Sequence, residues 1–250
     1  MTATLDAVTA PHGALGNLVG VTIRPTFAEA SKALLRNTLL DGLRELLSNR
    51  DWPAVTMADV ARISGVSRQT VYNEFGSRHG LAQAYAIRLA TDFASVVGAA
   101  LTESGGDLNA GLHEGFGRFF NQSAADPLIG SLQRGEAKPD LLRLITTDAG
   151  PLITTASAMI AEALSTSWVG LADDDALPIA RAIARMALSY VAMPPEGDRD
   201  VAADLAAVMA PAIAVARDRT LRTGPANSES ANSGSATTPS QTLTSDAIES

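Results

Sequence analysis

Residues 56–75 constrain the fold more than any other segment of this 250-residue chain. Thr56 precedes a short run with apolar residues on one helical face, Ser64-Gly65-Val66 interrupts that run, and Ser67 precedes a second run that ends near Phe75. Serine and threonine are favoured helix N-caps, and glycine readily takes the left-handed conformation of a tight turn. The pattern therefore predicts two short helices joined by a glycine turn, as in a helix-turn-helix.

The remainder of the chain has the spacing of amphipathic helices, and no run of alternating β-branched residues is long enough to indicate a strand. Residues 1–25 lack a clear period and are expected to form a flexible arm, while the Ser/Thr-rich tail over 223–250 has too few apolar residues to fold. We therefore predict an all-α protein of about nine or ten helices. The longer ones are expected at about 31–48, 77–102, 107–123, 149–168, 175–193 and 199–222.

Charge is unevenly distributed along the chain. The whole chain has a net charge of −8, yet the segment from Arg24 to Arg88 contains nine basic and six acidic residues. A net positive segment in an acidic chain is typical of a part that faces a polyanion. The overall negative charge argues against a protein that coats nucleic acid along its whole length.

Several kinds of chemistry lack the residues that they need. The chain has no cysteine, and its three histidines are far apart. It contains no Gly-x-Ser-x-Gly elbow and no His-Glu-x-x-His sequence, and Glu136 replaces the lysine that a phosphate loop beginning at Gly130 would require. No uncharged apolar run approaches the roughly 20 residues of a membrane helix, and the first residues lack the basic start of a secretory signal. We expect a cytoplasmic protein with no catalytic residues, metal site, cofactor or membrane association.

The second short helix divides into an apolar side and a hydrogen-bonding side. Val71 and Phe75 lie together, while the side chains of the opposite arc, about 140° wide, carry donors and no carboxylate. Arginine can pair with guanine and glutamine or asparagine with adenine, while hydroxyls, a second arginine and helix N-termini suit phosphates. A helical hairpin with a merely solvated polar face remains an alternative. The predicted DNA contacts are Thr56, Ser67, Arg68, Gln69, Thr70, Tyr72, Asn73 and Arg78.

Residues 36–81 resemble the DNA-binding domain of the TetR family of bacterial repressors. The resemblance is carried by the series Gly65-Val66-Ser67-Arg68-Gln69-Thr70-Val71-Tyr72-Asn73-Glu74-Phe75-Gly76-Ser77-Arg78. It implies a homodimer, a palindromic operator and a helical C-terminal domain that binds a small effector. The sequence from Val71 to Arg78 more narrowly resembles that of the AlkX-like branch, which is associated with alkane and fatty-acid metabolism. Glu74 departs from the family, in which histidine is common at this position, and we expect it to pair with Arg78 or Arg62 or to accept from a cytosine.

With this resemblance the chain divides into four parts. These are a flexible arm over 1–25, a helix-turn-helix DNA-binding domain over 26–82, a helical ligand-binding and dimerisation domain over 83–222, and a disordered tail over 223–250, with a long linking helix over 77–102. The function expected is a dimeric, ligand-responsive repressor that binds a palindromic operator. An effector-independent activator or architectural DNA-binding protein, or an all-α enzyme, are the alternatives.

The C-terminal helices suggest a ligand pocket and a dimer interface. Few charges interrupt their apolar stripes, so we expect a small hydrophobic effector such as a fatty acid or alkyl derivative. The candidate pocket residues are Phe93, Phe116, Phe119, Phe120, Met159, Ile160 and Trp168. Two Ala-rich amphipathic helices could form half of an intersubunit four-helix bundle, or pack within one subunit instead. Their candidate dimer residues are Ala180, Ile183, Ala184, Ala187, Leu188, Val191, Leu205, Val208, Met209 and Ile213.

Overall fold

The computed structural model describes residues 26–134, 139–194 and 199–223. Within these ranges the chain is all-α, with no strand, as the sequence predicts. The arm over 1–25 and the tail beyond Thr223 lie outside the described residues. The helices are α1 (Phe27–Asn49), α2 (Met57–Ile63), α3 (Arg68–Phe75), α4 (Arg78–Glu103), α5 (Leu108–Ala124), α6 (Pro127–Gln133), α7 (Pro139–Ile145), α8 (Gly150–Thr166), α9 (Asp173–Ala192) and α10 (Val201–Thr223), with a 3-10 turn at Trp52–Ala54.

The helix ends near the glycine turn follow the local signals in the sequence. The Thr56 hydroxyl accepts from the Asp59 amide at 3.2 Å, and the Asp59 carboxylate accepts from the Thr56 amide at 3.1 Å, which is a capping box. Ser67 caps α3 by accepting from the Thr70 amide at 3.0 Å. Gly65 has a φ of 68°, in the left-handed region that favours glycine. The predicted glycine turn between two short helices is confirmed.

Helix α1 begins about one turn earlier than the predicted start near residue 31. Thr26 and Glu29 form a second capping box, with the Thr26 amide donating to Glu29 at 2.8 Å and the Glu29 amide donating to Thr26 at 3.3 Å. The apolar stripe used to place this helix starts only at Leu35, because the first turns of α1 are exposed to solvent. The capping pair, rather than hydrophobic periodicity, determines where the helix begins.

Two apolar clusters form the core. The first contains residues of α1, α2, α3 and the start of α4, together with Leu128 of α6 and Leu141 and Leu144 of α7. The second is built from α4, α5, α8, α9 and α10 around Phe116 and Ile160. Three leucines beyond residue 120 therefore belong to the same core as the helix-turn-helix.

Helix α4 runs through both clusters. Tyr85 lies in the first cluster and Phe93 in the second, and both are buried. By length and composition alone α4 passes the test for a membrane-spanning helix. Its apolar composition is explained by its position, since it packs against α5 and α8 on one part of its length and against α1, α3 and α7 on another.

Candidate DNA-binding surface and effector cavity

Helix α3 presents one face to the core and the other to solvent. Val71 is fully buried and Phe75 almost so, within the cluster formed with α1 and α2. Arg68, Gln69 and Asn73 are exposed. Burial of the apolar side fixes the rotation of the helix, so the hydrogen-bonding groups must face outward.

Four side chains of α3, three of them exposed and Tyr72 half-buried, form two pairs at a spacing of four residues. The Arg68 guanidinium lies 5.3 Å from the centre of the Tyr72 ring and donates to its hydroxyl at 3.2 Å. The Gln69 amide donates to the Asn73 side-chain oxygen at 2.7 Å. Side chains four residues apart are neighbours on a helix, and such pairs restrict their rotamers. The four groups are thus held side by side on one surface.

Hydroxyl groups lie at the N-termini of both short helices. Ser67 and Thr70 are joined by a hydrogen bond of 2.8 Å between their hydroxyls, and Ser67 is exposed. At α2, hydrogen bonds from the Thr56 hydroxyl and amide lower the pKa of Asp59 to about 2. Arg50 and Arg62 lie within 3.4 Å and 3.3 Å of the same carboxylate. The negative charge that the capping box brings to this surface is therefore paired with two cations.

Glu74 points away from the outer surface of α3. Its carboxylate lies 2.7 Å from a guanidinium nitrogen of Arg36 on α1, and only 7 % of its side chain is exposed. The same guanidinium lies 5.1 Å from the centre of the Phe75 ring. The expected partners Arg78 and Arg62 are replaced by Arg36, which ties the end of α3 to α1.

Arg78, which the sequence predicts to contact a phosphate, has partners within the protein. Its guanidinium lies 4.1 Å from the centre of the Trp52 ring, and its Nε donates to the Val55 carbonyl at 3.1 Å. A second guanidinium nitrogen donates to the Trp52 carbonyl. Arg78 fastens the 3-10 turn to the start of α4, a role invisible in sequence because the partners lie 23 and 26 residues away.

An apolar cavity of about 100 Å³ lies between the two clusters. Helices α4 to α9 contribute its walls, and every lining side chain is alanine, valine, leucine, isoleucine or phenylalanine. Leu128, Leu141 and Leu144, which belong to the first cluster, form part of the wall. Such a surface binds hydrocarbon through burial and dispersion, and it offers no side-chain hydrogen bond.

The cavity differs from the pocket expected from sequence. Phe93 and Phe119 line it, and their ring centres are 4.0 Å apart. The other five candidates do not line this cavity: Phe116 and Ile160 are fully buried core residues, Phe120 stacks edge-on against Tyr190, Met159 packs against the second cluster, and Trp168 donates to the Leu101 carbonyl. The choice of aromatic and methionine residues missed the aliphatic walls supplied by α6, α7 and α8.

Comparison with known proteins agrees with this architecture. Residues 39–85 match the family of bacterial regulatory proteins described as the tetR family, and residues 107–211 match the C-terminal domain of the bacterial tetracycline repressor. The HTH-type transcriptional regulator AlkX of Mycobacterium tuberculosis is 56 % identical over 188 residues, which are 75 % of this chain and 89 % of that protein. The chain belongs to the TetR family.

A solved structure of a TetR family member gives the same result in three dimensions. The crystal structure of the repressor AlkX from Dietzia sp. strain DQ12-45-1b aligns with a TM-score of 0.68 and 43 % identity, covering 73 % of this chain and 96 % of that one. That protein is implicated in the biodegradation of n-alkanes. Membership identifies the chain as a helix-turn-helix transcriptional regulator, so the alternative of an all-α enzyme is excluded.

The sequence-based dimer residues of this TetR-family chain point inward. Eight of them are buried within the subunit: Ala180, Ile183, Ala184, Ala187, Val191, Leu205, Met209 and Ile213. Leu188 lines the cavity, and Val208 alone is exposed, at 60 %. The apolar faces that the sequence pattern assigned to a second subunit pack against α5 and α8 instead.

Helix α10 nevertheless presents apolar residues to solvent. Val208, Val215 and Leu221 are exposed, and Pro211 and Ala212 lie on the same outer side. We call the exposed residues Val208, Pro211, Ala212 and Val215 the outer stripe of α10.

The N-terminus of α9 is joined to the end of α10. Arg219 lies 2.6 Å from Asp175, and the Thr220 hydroxyl accepts from the Ala172 amide at 3.2 Å.

Proposed function

We propose that this TetR-family regulator is a cytoplasmic, dimeric repressor that binds a palindromic operator and is released by a small hydrophobic effector. The observation that carries the proposal is the outer face of α3, where Arg68, Gln69, Tyr72 and Asn73 are held together beside two capped helix N-termini. The domain divisions near residues 25, 82 and 222 are part of the same proposal.

In this proposal α3 enters the major groove. Arg68 donates two hydrogen bonds to guanine, and Gln69 and Asn73 read adenine after exchanging their mutual hydrogen bond for contacts with the base edge. Thr56, Ser67, Thr70 and Tyr72 contact phosphates and fix the register, together with the amides at the helix N-termini. Arg78 contributes indirectly, because it holds the turn before α2 against α4.

The outer stripe of α10 supports a revised dimer interface. Apolar residues on consecutive turns of one exposed helix face are characteristic of an interaction surface rather than of a solvated one. Two copies of α9 and α10 related by a twofold axis would form a four-helix bundle. The recognition helices of such a dimer lie about 34–36 Å, or a whole-turn multiple, apart along the duplex.

The apolar cavity is the proposed effector site. Its walls hold no side-chain hydrogen-bonding group, so the part of the effector inside it is an alkyl chain, and any polar head group lies outside. The relative from Dietzia, implicated in biodegradation of n-alkanes, agrees with an effector of this class. Release is a population shift, because the effector must bind the arrangement that does not fit the operator more tightly than the one that does.

Two measurements test the function. Selection of bound duplexes from random DNA with the full chain is expected to yield one palindromic sequence, and failure to retain any duplex at low salt would refute DNA binding. Thermal shift with octan-1-ol, decan-1-ol and dodecan-1-ol is expected to show stabilisation that rises by roughly 0.8 kcal/mol of binding free energy per added methylene. Stabilisation by polar ligands alone, with none from alkyl compounds, would refute the hydrophobic effector.

A further inference from the structure

A buried hydrogen bond joins α4 to the start of α6. The Tyr85 hydroxyl donates to the Asp126 carboxylate at 2.7 Å, and both residues are buried, with Tyr85 at 0 % and Asp126 at 2 % exposure. A buried carboxylate is tolerated only when donors satisfy it, so the geometry of this contact is narrowly defined. We refer to it as the Tyr85–Asp126 bridge.

Asp126 accepts a second set of hydrogen bonds, which connects it to the cavity. Its other carboxylate oxygen accepts from the amides of Leu128 at 2.9 Å and Ile129 at 3.3 Å, so it is the N-cap of α6. The side chains of these same two residues line the apolar cavity. Any occupant that moves Leu128 or Ile129 therefore moves the backbone that the Asp126 carboxylate holds.

Tyr85 is connected in turn to the scaffold of the helix-turn-helix. It lies in the first cluster, and the guanidinium of Arg88, one turn further along α4, is 5.1 Å from the centre of its ring. Arg88 pairs with Asp41 of α1 at 2.6 Å and donates to the Leu40 carbonyl at 3.1 Å. The end of α4 that carries Tyr85 is thus tied to α1, on which α2 packs.

We infer that Tyr85 and Asp126 are positioning residues that transmit occupancy of the cavity to the DNA-binding surface. An occupant displaces the first turn of α6, the bridge makes α4 follow, and Arg88 carries the displacement to α1. Without the bridge α6 yields alone, and the recognition helices keep their spacing. This inference rests on the proposed function, because it assigns the regulation of that same site.

The test compares operator affinity with and without decan-1-ol, using the duplex selected by the full wild-type chain. In the wild type the alcohol raises the Kd for the operator. In Tyr85→Phe we expect the wild-type Kd when the alcohol is absent. The factor by which the alcohol raises the Kd is expected to be roughly fivefold or more smaller than in the wild type, because a coupling between two sites usually changes affinity by at least that factor. Tyr190→Phe, the same change in a half-buried tyrosine of α9 outside the cavity wall, keeps the wild-type response.

A full response in Tyr85→Phe overturns the inference while leaving the proposed function intact. Should that variant fail to fold, Asp126→Ser serves in its place, because serine is a good N-cap but its single hydroxyl is too short to cap α6 and reach Tyr85 as well. A wild-type response in Asp126→Ser likewise overturns the inference.

Lack of response in the wild type is a separate outcome, because it refutes release by this alkyl probe. Ala156→Phe then replaces the alcohol, since Ala156 lines the cavity and a phenyl ring fills it from α8. We expect this substitution to weaken operator binding in the wild-type background and not in Tyr85→Phe. Equal weakening in both backgrounds, or none in the wild type, overturns the bridge as the transmitting contact.

Discussion

Arg78→Ala distinguishes the structural role of this arginine from the phosphate contact that the family resemblance implies. The substitution removes a guanidinium stacked on Trp52, an interaction worth roughly 0.5–2 kcal/mol. It also removes the charged donor of the Trp52 and Val55 carbonyls, at about 1.5 kcal/mol or more for each hydrogen bond. Because Arg78 is half-buried, we take the low end of both ranges and expect the free energy of unfolding to fall by about 3.5 kcal/mol.

That loss corresponds to a fall in Tm of about 7–14 °C for a chain of this size. Circular dichroism at 222 nm measures it, and Trp52 fluorescence, recorded in a Trp168→Phe background, reports whether the 3-10 turn loosens first. Arg62→Ala is the matched control, since Arg62 belongs to the same domain but forms an exposed ion pair of little energetic value. An unchanged Tm in Arg78→Ala, together with a salt dependence of DNA binding shallower by about one unit, would refute the structural role.

Four further substitutions address the recognition surface and its support. Arg68→Ala and Gln69→Ala are each expected to cost roughly 1–3 kcal/mol of operator binding and to relax preference at one base pair per half-site, as read by repeating the DNA selection. Gly80→Ala places a Cβ 2.1 Å from the Phe75 carbonyl oxygen, so a lower Tm and weaker operator binding are expected, and an unchanged Tm would contradict that contact. Because the pKa of Asp59 is lowered in the folded state, its carboxylate stabilises the fold fully above about pH 4, and this stabilisation is lost as the pH falls to about 2. Thermal melts of Asp59→Asn over the same pH range check this, since the variant is expected to lack that part of the decline in Tm.

Local signals were sufficient to predict the helix-turn-helix. The caps at Thr56 and Ser67 and the turn at Gly65 each depend on residues within three or four positions, so their hydrogen bonds and backbone angles follow from the sequence itself. The inward face of α3 was equally predictable, since Val71 and Phe75 are its large apolar residues.

Long-range partners were not predictable in the same way. Glu74 meets Arg36 across 38 positions, and Tyr85 meets Asp126 across 41, with nothing in the local pattern to select either partner. Helix α10 shows the same limit for whole faces. Because Met209 is buried and Val208 beside it is exposed, apolar residues occur on both sides of the helix, and periodicity cannot tell a core face from an interface.

The walls of the cavity come from both apolar clusters. A linear division near residue 82 assigns α6 and α7 to the effector domain, yet Leu128, Leu141 and Leu144 are packed in the core of the helix-turn-helix. These leucines line the cavity on one side and support α1 and α4 on the other. Since a close-packed interior adjusts by shifting whole elements, an occupant too large for this cavity would displace α6 or α7, and in our proposal the Tyr85–Asp126 bridge carries that displacement to the packing that orients α2 and α3.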